Sequence, residues 1–327
     1  MQNTHIIKKR VIGVDISNER TSYAIVDVRG NIIAQSDFST EDYPDVNQFV
    51  TKLTEEIVQL TEANGGYETI RSIGISCPSA SMTSGCIENA ANLPWKGVIP
   101  LGAMLRDRLG MAVALGNDAH SSALGEQMYG SAHGMKNFVV ISLGVGLGSC
   151  LFSEGREHAG QFGYAGEIGH TCLVDHGRMC GCGKEGCLEA YVAATGVVQT
   201  AHEVMDESDK PSLMRNVDYL SPRIIDEFAR KGDELAQEVF RRTGYLLGIG
   251  MANYASIVSP EAIIMTGGIS HAGPWFFDAF QESFDEHVFS NIKGKVKLLV
   301  SELNDREREI LGSAALAWEV PEYSLFK

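Results

Sequence analysis

The chain has 327 residues, with 27 Lys and Arg against 42 Asp and Glu, a formal charge of −15 and a pI near 5.0. Hydrophobic residues make up 44% and charged residues 21%, a globular balance that excludes a disordered or fibrous chain. So acidic a composition argues against nucleic acid as a partner, since phosphates demand clustered Lys and Arg, and against an anionic membrane face.

The first ten residues are polar, then basic, and lack the long apolar region of a secretory signal. Residues 11–16 (VIGVDI) read as a buried strand ending near an aspartate, Asp15. Residues 22–28 and 31–37 are two further β-rich runs joined through Arg29-Gly30, a hairpin signal. From Asp45, the apolar residues Val46, Phe49, Val50, Leu53, Ile57 and Leu60 recur at helical spacing, and Asn64-Gly65-Gly66 closes that helix. Residues 70–77 predict a strand stopped by Pro78. Asn117-Asp118 opens a helix over 119–129, with Asp118 at or near its N-cap. Residues 138–143 form the longest near-apolar run, far short of the ~20 residues of a bilayer crossing. This strand runs into Gly144-Val145-Gly146-Leu147-Gly148, and 149–153 reads as its hairpin partner. A mostly helical stretch follows from Leu188 to Ser259, then a short strand at 262–266 delivering Gly267-Gly268, and a final helix at 307–318. The strand-and-turn unit near residue 11 recurs near residue 138. That repetition predicts two copies of one α/β unit, two lobes facing across a cleft; the short apolar runs and the polar first ten residues predict a soluble, cytoplasmic protein.

Seven cysteines, an odd number, argue against a disulfide framework in a chain with no export signal. Cys77, Cys86, Cys150 and Cys172 are scattered among apolar or small residues and read as small buried hydrophobes. The other three crowd into Cys180-Gly181-Cys182-Gly183-Lys184-Glu185-Gly186-Cys187, where glycines permit the tight turns that bring thiolates together. Zinc wants four N or S ligands in a tetrahedron. His170, ten residues upstream, is the best fourth ligand, with His176 as competitor. A Cys₃His site would be structural, closing a loop.

Glycine turns at strand ends present backbone N–H groups to phosphate oxygens. Two such turns stand here, with Asp118 and with Glu167-Ile168-Gly169-His170. In this setting the chain resembles the ROK sugar kinases, the bacterial glucokinases and their N-acetylhexosamine and fructose relatives. The resemblance covers about residues 10–320. It rests on Asn92-Leu93-Pro94-Trp95, Asn117-Asp118-Ala119, Glu167-Ile168-Gly169-His170 and the cysteine segment continuing into Leu188-Glu189. The last two, in this order and spacing, are highly specific.

The resemblance implies the actin-like hexokinase fold, two ribonuclease-H-like lobes, with a smaller lobe of residues 1–118 plus 305–327 and a larger lobe of 119–304. It implies ATP and Mg²⁺ as cofactors, structural Zn²⁺, a small-molecule sugar as substrate and a homodimer. Asp118 matches the catalytic aspartate, which takes the proton of the attacking hydroxyl. Asn92, Asn117, Glu167, His170 and Glu189 match positions gripping sugar hydroxyls, each of which donates and accepts. His170 matches a residue with a second task, binding zinc beside Cys180, Cys182 and Cys187. Asp15 matches the aspartate near the ATP phosphates and magnesium. Gly144, Gly146 and Gly148 match the second phosphate loop, and Gly267 with Gly268 the adenosine-side turn. Glucose leads as substrate. The small residues of Pro78-Ser79-Ala80-Ser81 keep N-acetylglucosamine and N-acetylmannosamine in play.

The chain departs from the family at its first phosphate loop, which usually reads Asp-x-Gly-Gly-Thr. Here Asp15 is followed by Ile16-Ser17-Asn18-Glu19-Arg20-Thr21, so a carboxylate stands where backbone is expected to approach a polyanion. Val145 also stands where the second loop usually has threonine. An intact sugar half and an altered phosphate half define two readings, a working hexose kinase and a sugar sensor of kinase descent. Some ROK relatives are repressors with an N-terminal helix-turn-helix domain. With about ten residues before the first strand and a charge of −15, this chain is expected not to bind DNA.

Overall fold

A computed structural model describes residues 8–90 and 92–320, and divides them into two compact units, one ending at His133 and resuming at Leu303, the other Gly134–Glu302. The terminal stretches 1–7 and 321–327, which the expected smaller lobe includes, lie outside the described residues.

The first unit opens with β1 (Arg10–Ile16), β2 (Arg20–Asp27) and β3 (Ile32–Ser39), an antiparallel run. Helix α1 (Val46–Ala63) follows, its first turn capped by Asp45, whose carboxylate accepts the N–H groups of Asn47 and Gln48. Its buried residues are Phe49, Val50, Leu53, Ile57 and Thr61. Strand β4 (Ile70–Ser76) pairs parallel with β1. A small sheet of β5 (Ala80–Ser81), β6 (Cys86–Glu88) and β7 (Val98–Ile99) leads to α2 (Leu101–Leu109), β8 (Ala112–Gly116) and α3 (Asp118–Tyr129). The main sheet has the order β3-β2-β1-β4-β8.

The second unit repeats this plan. Strands β9 (Phe138–Leu143), β10 (Leu147–Ser153) and β11 (Arg156–Glu157) are antiparallel. Helices α4 (Glu189–Val192), α5 (Ala194–Asp206), α6 (Pro222–Arg230) and α7 (Glu234–Val258) resolve the expected helical stretch. Then come β12 (Ala262–Thr266), parallel to β9, helix α8 (Pro274–His287) and β13 (Lys297–Val300). The order β11-β10-β9-β12-β13 matches the first sheet strand for strand and direction for direction, so the sequence repeat is a topological repeat.

Helix α9 (Asp305–Glu319) returns to the first unit, packing on β1, β4 and α3. Contact is backbone-close. A β-carbon on Gly74 would stand 1.9 Å from the Ser313 carbonyl oxygen, and one on Gly312 would stand 2.5 Å from that of Ser121. Because α3 packs along α9, the division falls after His133 and not at the expected residue 118. Each unit has its own core, built around Phe49, Ile73 and Trp95 in the first and around Ile141, Phe240 and Phe280 in the second.

Candidate functional site

In the first unit the acidic groups gather at strand and helix ends. Asp15 lies one residue before the end of β1, Ser76 ends β4, and Asp118 is the first residue of α3. Asn117 caps α3, its side-chain oxygen accepting the His120 N–H at 2.8 Å, which leaves its amide NH₂ as a donor. The Ser76 hydroxyl lies 3.5 Å from Asp118 Oδ1. Burial, then the negative charges of Asp118 and Glu309, pushes the Asp15 carboxyl up to about 7, against the opposing Ser76 hydrogen bond and Arg20 charge. Asp118 is exposed at its helix tip, yet protein packed around its carboxyl raises it to about 6, with Glu309 adding repulsion. A carboxylate of that pKa is mostly ionised at pH 7 and ready to take a proton. Shared negative charge on oxygen ligands suits a hard divalent cation, so Asp15 and its acidic neighbours fit Mg²⁺. Glu309 was not anticipated from sequence, because it arrives from the far end of the chain.

The turn after β1 is a tight hairpin. Ser17 N–H donates to the Arg20 carbonyl at 2.9 Å, the Ser17 hydroxyl bonds the same oxygen, and Asn18 donates to Glu41 at 2.9 Å. Residues 17–20 are exposed. Asn92 is also exposed, in a turn held by buried Leu93 and by Trp95, whose indole donates to the Tyr43 carbonyl at 3.0 Å.

In the second unit the other expected residues lie along one path. Gly144-Val145-Gly146 forms the turn between β9 and β10, closed by Gly144 N–H to the Gly146 carbonyl at 3.0 Å. Gly148 already stands in β10 opposite Ser142. Gly267 follows β12 at φ 86°, a left-handed conformation that favours glycine, and a β-carbon there would stand 2.5 Å from the Leu143 carbonyl oxygen. The two turns meet: Gly144 and Gly268 line one cavity of about 360 Å³ with Ser221, Arg223, Asp226 and Phe240. Nothing stands within 4 Å of where a β-carbon would sit on either glycine, so both leave open space. Asp226 Oδ2 accepts from Arg230 Nε at 2.7 Å. Its Oδ1 is buried without a partner among the described residues, an acceptor available to a hydroxyl or amino group. The spacing of Ser221, Arg223, Asp226 and Phe240 carries no motif, so sequence reading missed them.

The cysteine segment folds into a knot. His170, Cys180, Cys182 and Cys187 place their ligand atoms within 4.8 Å of one another. His170 Nδ1 is 3.7 Å from Cys180 Sγ, and the Cys182 and Cys187 sulfurs are 3.7 Å apart. Ligands on a tetrahedral zinc stand roughly 3.5–3.8 Å apart, so these residues fit that ion. His176 is exposed beside Asp175 and Glu185 and lies outside the cluster, so His170 is the histidine that stands with the three cysteines. Cys180 and Cys187 are buried. Arg178 anchors the knot, its guanidinium donating to the Ala190 and Gly196 carbonyls, Thr200 Oγ1 and Glu203.

Glu167 is exposed just ahead of the single helical turn that carries His170. Glu189 opens α4, and its engagement differs from a bare sugar ligand. Its Oε2 accepts the Leu147 N–H at 2.9 Å, and its Oε1 lies 3.5 Å from Cys180 Sγ. It thus joins the glycine turn to the knot.

Similarity to known proteins follows these features. The chain is 29% identical to the glucokinase of Halalkalibacterium halodurans over 300 residues, 90% of this chain and 91% of that one. It is 27% identical to the xylose repressor of Caldicellulosiruptor bescii over 324 residues, 96% of this chain and 80% of the repressor. A ROK family glucokinase from Streptomyces griseus, solved with glucose and AMPPNP, superposes with a TM-score of 0.75 at 28% identity, covering 95% of this chain and all of that one. Among the described residues, no helix is long and apolar enough to cross a membrane. The ROK family pattern matches residues 11–320, with the actin-like fold of its sugar kinases, and the chain belongs to the ROK family.

Proposed function

We propose that the protein is an ATP-dependent kinase acting in the cytoplasm, transferring the γ-phosphoryl group to a hydroxyl of a hexose, with glucose the first substrate to test. The observation that carries this reading is Asp118, an ionisable carboxyl raised to about 6 at the tip of α3. Binding a sugar needs no base, whereas a sugar hydroxyl is a poor nucleophile until a carboxylate within reach takes its proton. The cavity between the two glycine turns supports the nucleotide end, with the Gly144 and Gly268 backbones open and Asp226 offering an acceptor. Bound with the nucleotide near Asp15, Mg²⁺ would neutralise phosphate charge. Asn117 would donate its amide NH₂ to the sugar, and Glu167 and Glu189 would accept from its hydroxyls. Zinc in the knot would fix the tautomer and tilt of His170, leaving Nε2 for the sugar.

A second reading, a sugar-responsive protein that transfers phosphate poorly or not at all, is favoured by one observation. The turn after Asp15 carries Ser17, Asn18 and Glu19 in place of Gly-Gly-Thr, with Ser17 bonded to the Arg20 carbonyl and the Asn18 side chain to Glu41.

Mg²⁺-ATP consumption across a panel of hexoses and N-acetylhexosamines separates the two. The kinase reading expects turnover on one sugar at about 1–100 s⁻¹. Asp118→Asn should lower kcat by about 10²–10⁴-fold while sugar affinity stays within about tenfold. Sugar binding without turnover on any member of the panel overturns the kinase.

A further inference from the structure

One cysteine outside the knot is placed against it by the backbone. Cys172 pairs with Cys187 as an isolated antiparallel bridge. Its flanking hydrogen bonds are Leu173 N–H to the Gly186 carbonyl at 2.7 Å and Leu188 N–H to the Thr171 carbonyl at 3.0 Å. With the bonds on the flanking residues, Cys172 and Cys187 form the narrow, non-hydrogen-bonded kind of pair, whose α-carbons stand about 4.5 Å apart. That spacing lies inside the range a disulfide spans. Cys172 Sγ lies 3.2 Å from where a β-carbon would stand on Gly186, the residue before Cys187. Cys172 is exposed, whereas Cys187 is buried and belongs to the metal cluster.

We infer that Cys172 and Cys187 are a thiol pair that hydrogen peroxide oxidises to a disulfide, taking Cys187 out of the metal set. The inference rests on the zinc reading of the knot only for the fate of the metal. In the first step the Cys172 thiolate attacks the peroxide. An S–O bond forms, the O–O bond breaks, and hydroxide leaves to become water. In the second step the Cys187 sulfur attacks the Cys172 sulfenic acid. The S–S bond forms, the S–O bond breaks, and a second water is produced. The two sulfurs are oxidised by two electrons in total, and the peroxide is reduced to two waters. His170, Cys180 and Cys182 are left as three ligands, one short of a closed structural site. Cys180 lies 3.5 Å from the Glu189 carboxylate, which holds the Leu147 N–H, so opening the knot loosens the glycine turn.

The test uses the full chain with zinc content measured as purified. Hydrogen peroxide is added with a chromogenic chelator present, and the protein is then digested by trypsin without reduction. Arg178 and Lys184 separate Cys172, the Cys180 and Cys182 pair, and Cys187 into three peptides. We expect a Cys172–Cys187 cross-linked peptide. Cys172→Ser should hold the same zinc and release it at least about tenfold more slowly. A disulfide confined to Cys180, Cys182 and Cys187, with Cys172 still a free thiol, overturns the proposal, as does unchanged release from Cys172→Ser. Protein purified without zinc would sink the zinc reading alone, since the cross-linked peptide still decides the pairing.

Discussion

Asp15 shows how a site can be built at the expense of stability. Its carboxyl is pushed up to about 7 from an ordinary value of 3.8, burial coming first and the charges of Asp118 and Glu309 next. A carboxyl raised on folding contributes stability while it stays protonated. That contribution is complete below the unfolded value and is lost as pH rises through about 7. At pH 8.5 the folded protein carries the full cost of an ionised Asp15, by linkage about 4 kcal/mol. Asp15→Asn removes this cost. Its melting temperature should exceed that of the wild type, by several degrees at pH 8.5 and by clearly less at pH 5, while ATP use falls. Thermal melts at the two pH values check this, and equal gains at both would mean that burial and charge around Asp15 do not govern its titration. The reading also explains why the residue is tolerated. Groups that perturb one another at strand ends serve function where stability alone would replace them.

The element that departs most from the family is the turn after β1. Ser17 and Asn18 are tied by hydrogen bonds within the turn and to Glu41, and the Glu19 carbonyl accepts the Thr40 N–H at 3.1 Å. The backbone is thus held firmly without the glycines, and what is altered is charge. Glu19 is exposed, so its repulsion of a nucleotide is screened by water and salt and weaker than a buried charge would exert. Glu19→Gln should lower the KM for Mg²⁺-ATP by about threefold to tenfold at low salt, less at 0.5 M salt, with little change in kcat. An unchanged KM at low salt would place the Glu19 carboxylate away from the phosphates. At this scale the sequence was readable where an element is long or fully buried. Strands β1, β9 and β12 are near-continuous apolar runs, β4 is bounded by Pro78 after Cys77, and α1 shows its face by periodicity. Strands of two or three residues, such as β5, β6 and β7, carry too few side chains to show any period. Helix α8 did carry a signal, Pro274 at its start and Phe276, Phe280 and Phe284 four apart, all three buried.

For the molecule as a whole, the repeat near residues 11 and 138 was legible, and its meaning is two sheets of one topology, each with its own core. That His170, Cys180, Cys182 and Cys187 come together was legible because they are close in sequence and of metal-binding types. Arg178, Asp226 and Glu309 were not, since nothing in chain spacing reports where a distant guanidinium or carboxyl ends up. That difference shapes what metal removal should do. The knot is bound through Arg178 to the Ala190 and Gly196 carbonyls, Thr200 and Glu203, and through Glu189 to the glycine turn, all in the second unit. Each such contact is a buried or charge-assisted hydrogen bond that depends on the knot keeping its shape. Stripping metal with a strong chelator should therefore raise amide exchange across residues 167–206 and in the Gly144–Gly146 turn. Amides of β1, β4 and α9, in the other unit with its separate core, should keep their protection. Hydrogen exchange followed by mass spectrometry reads both regions in one experiment, at the opening free energy of each. A loss of protection spread evenly over both units would mean that the metal supports the entire fold, and no change anywhere would mean that the four ligands hold together without it.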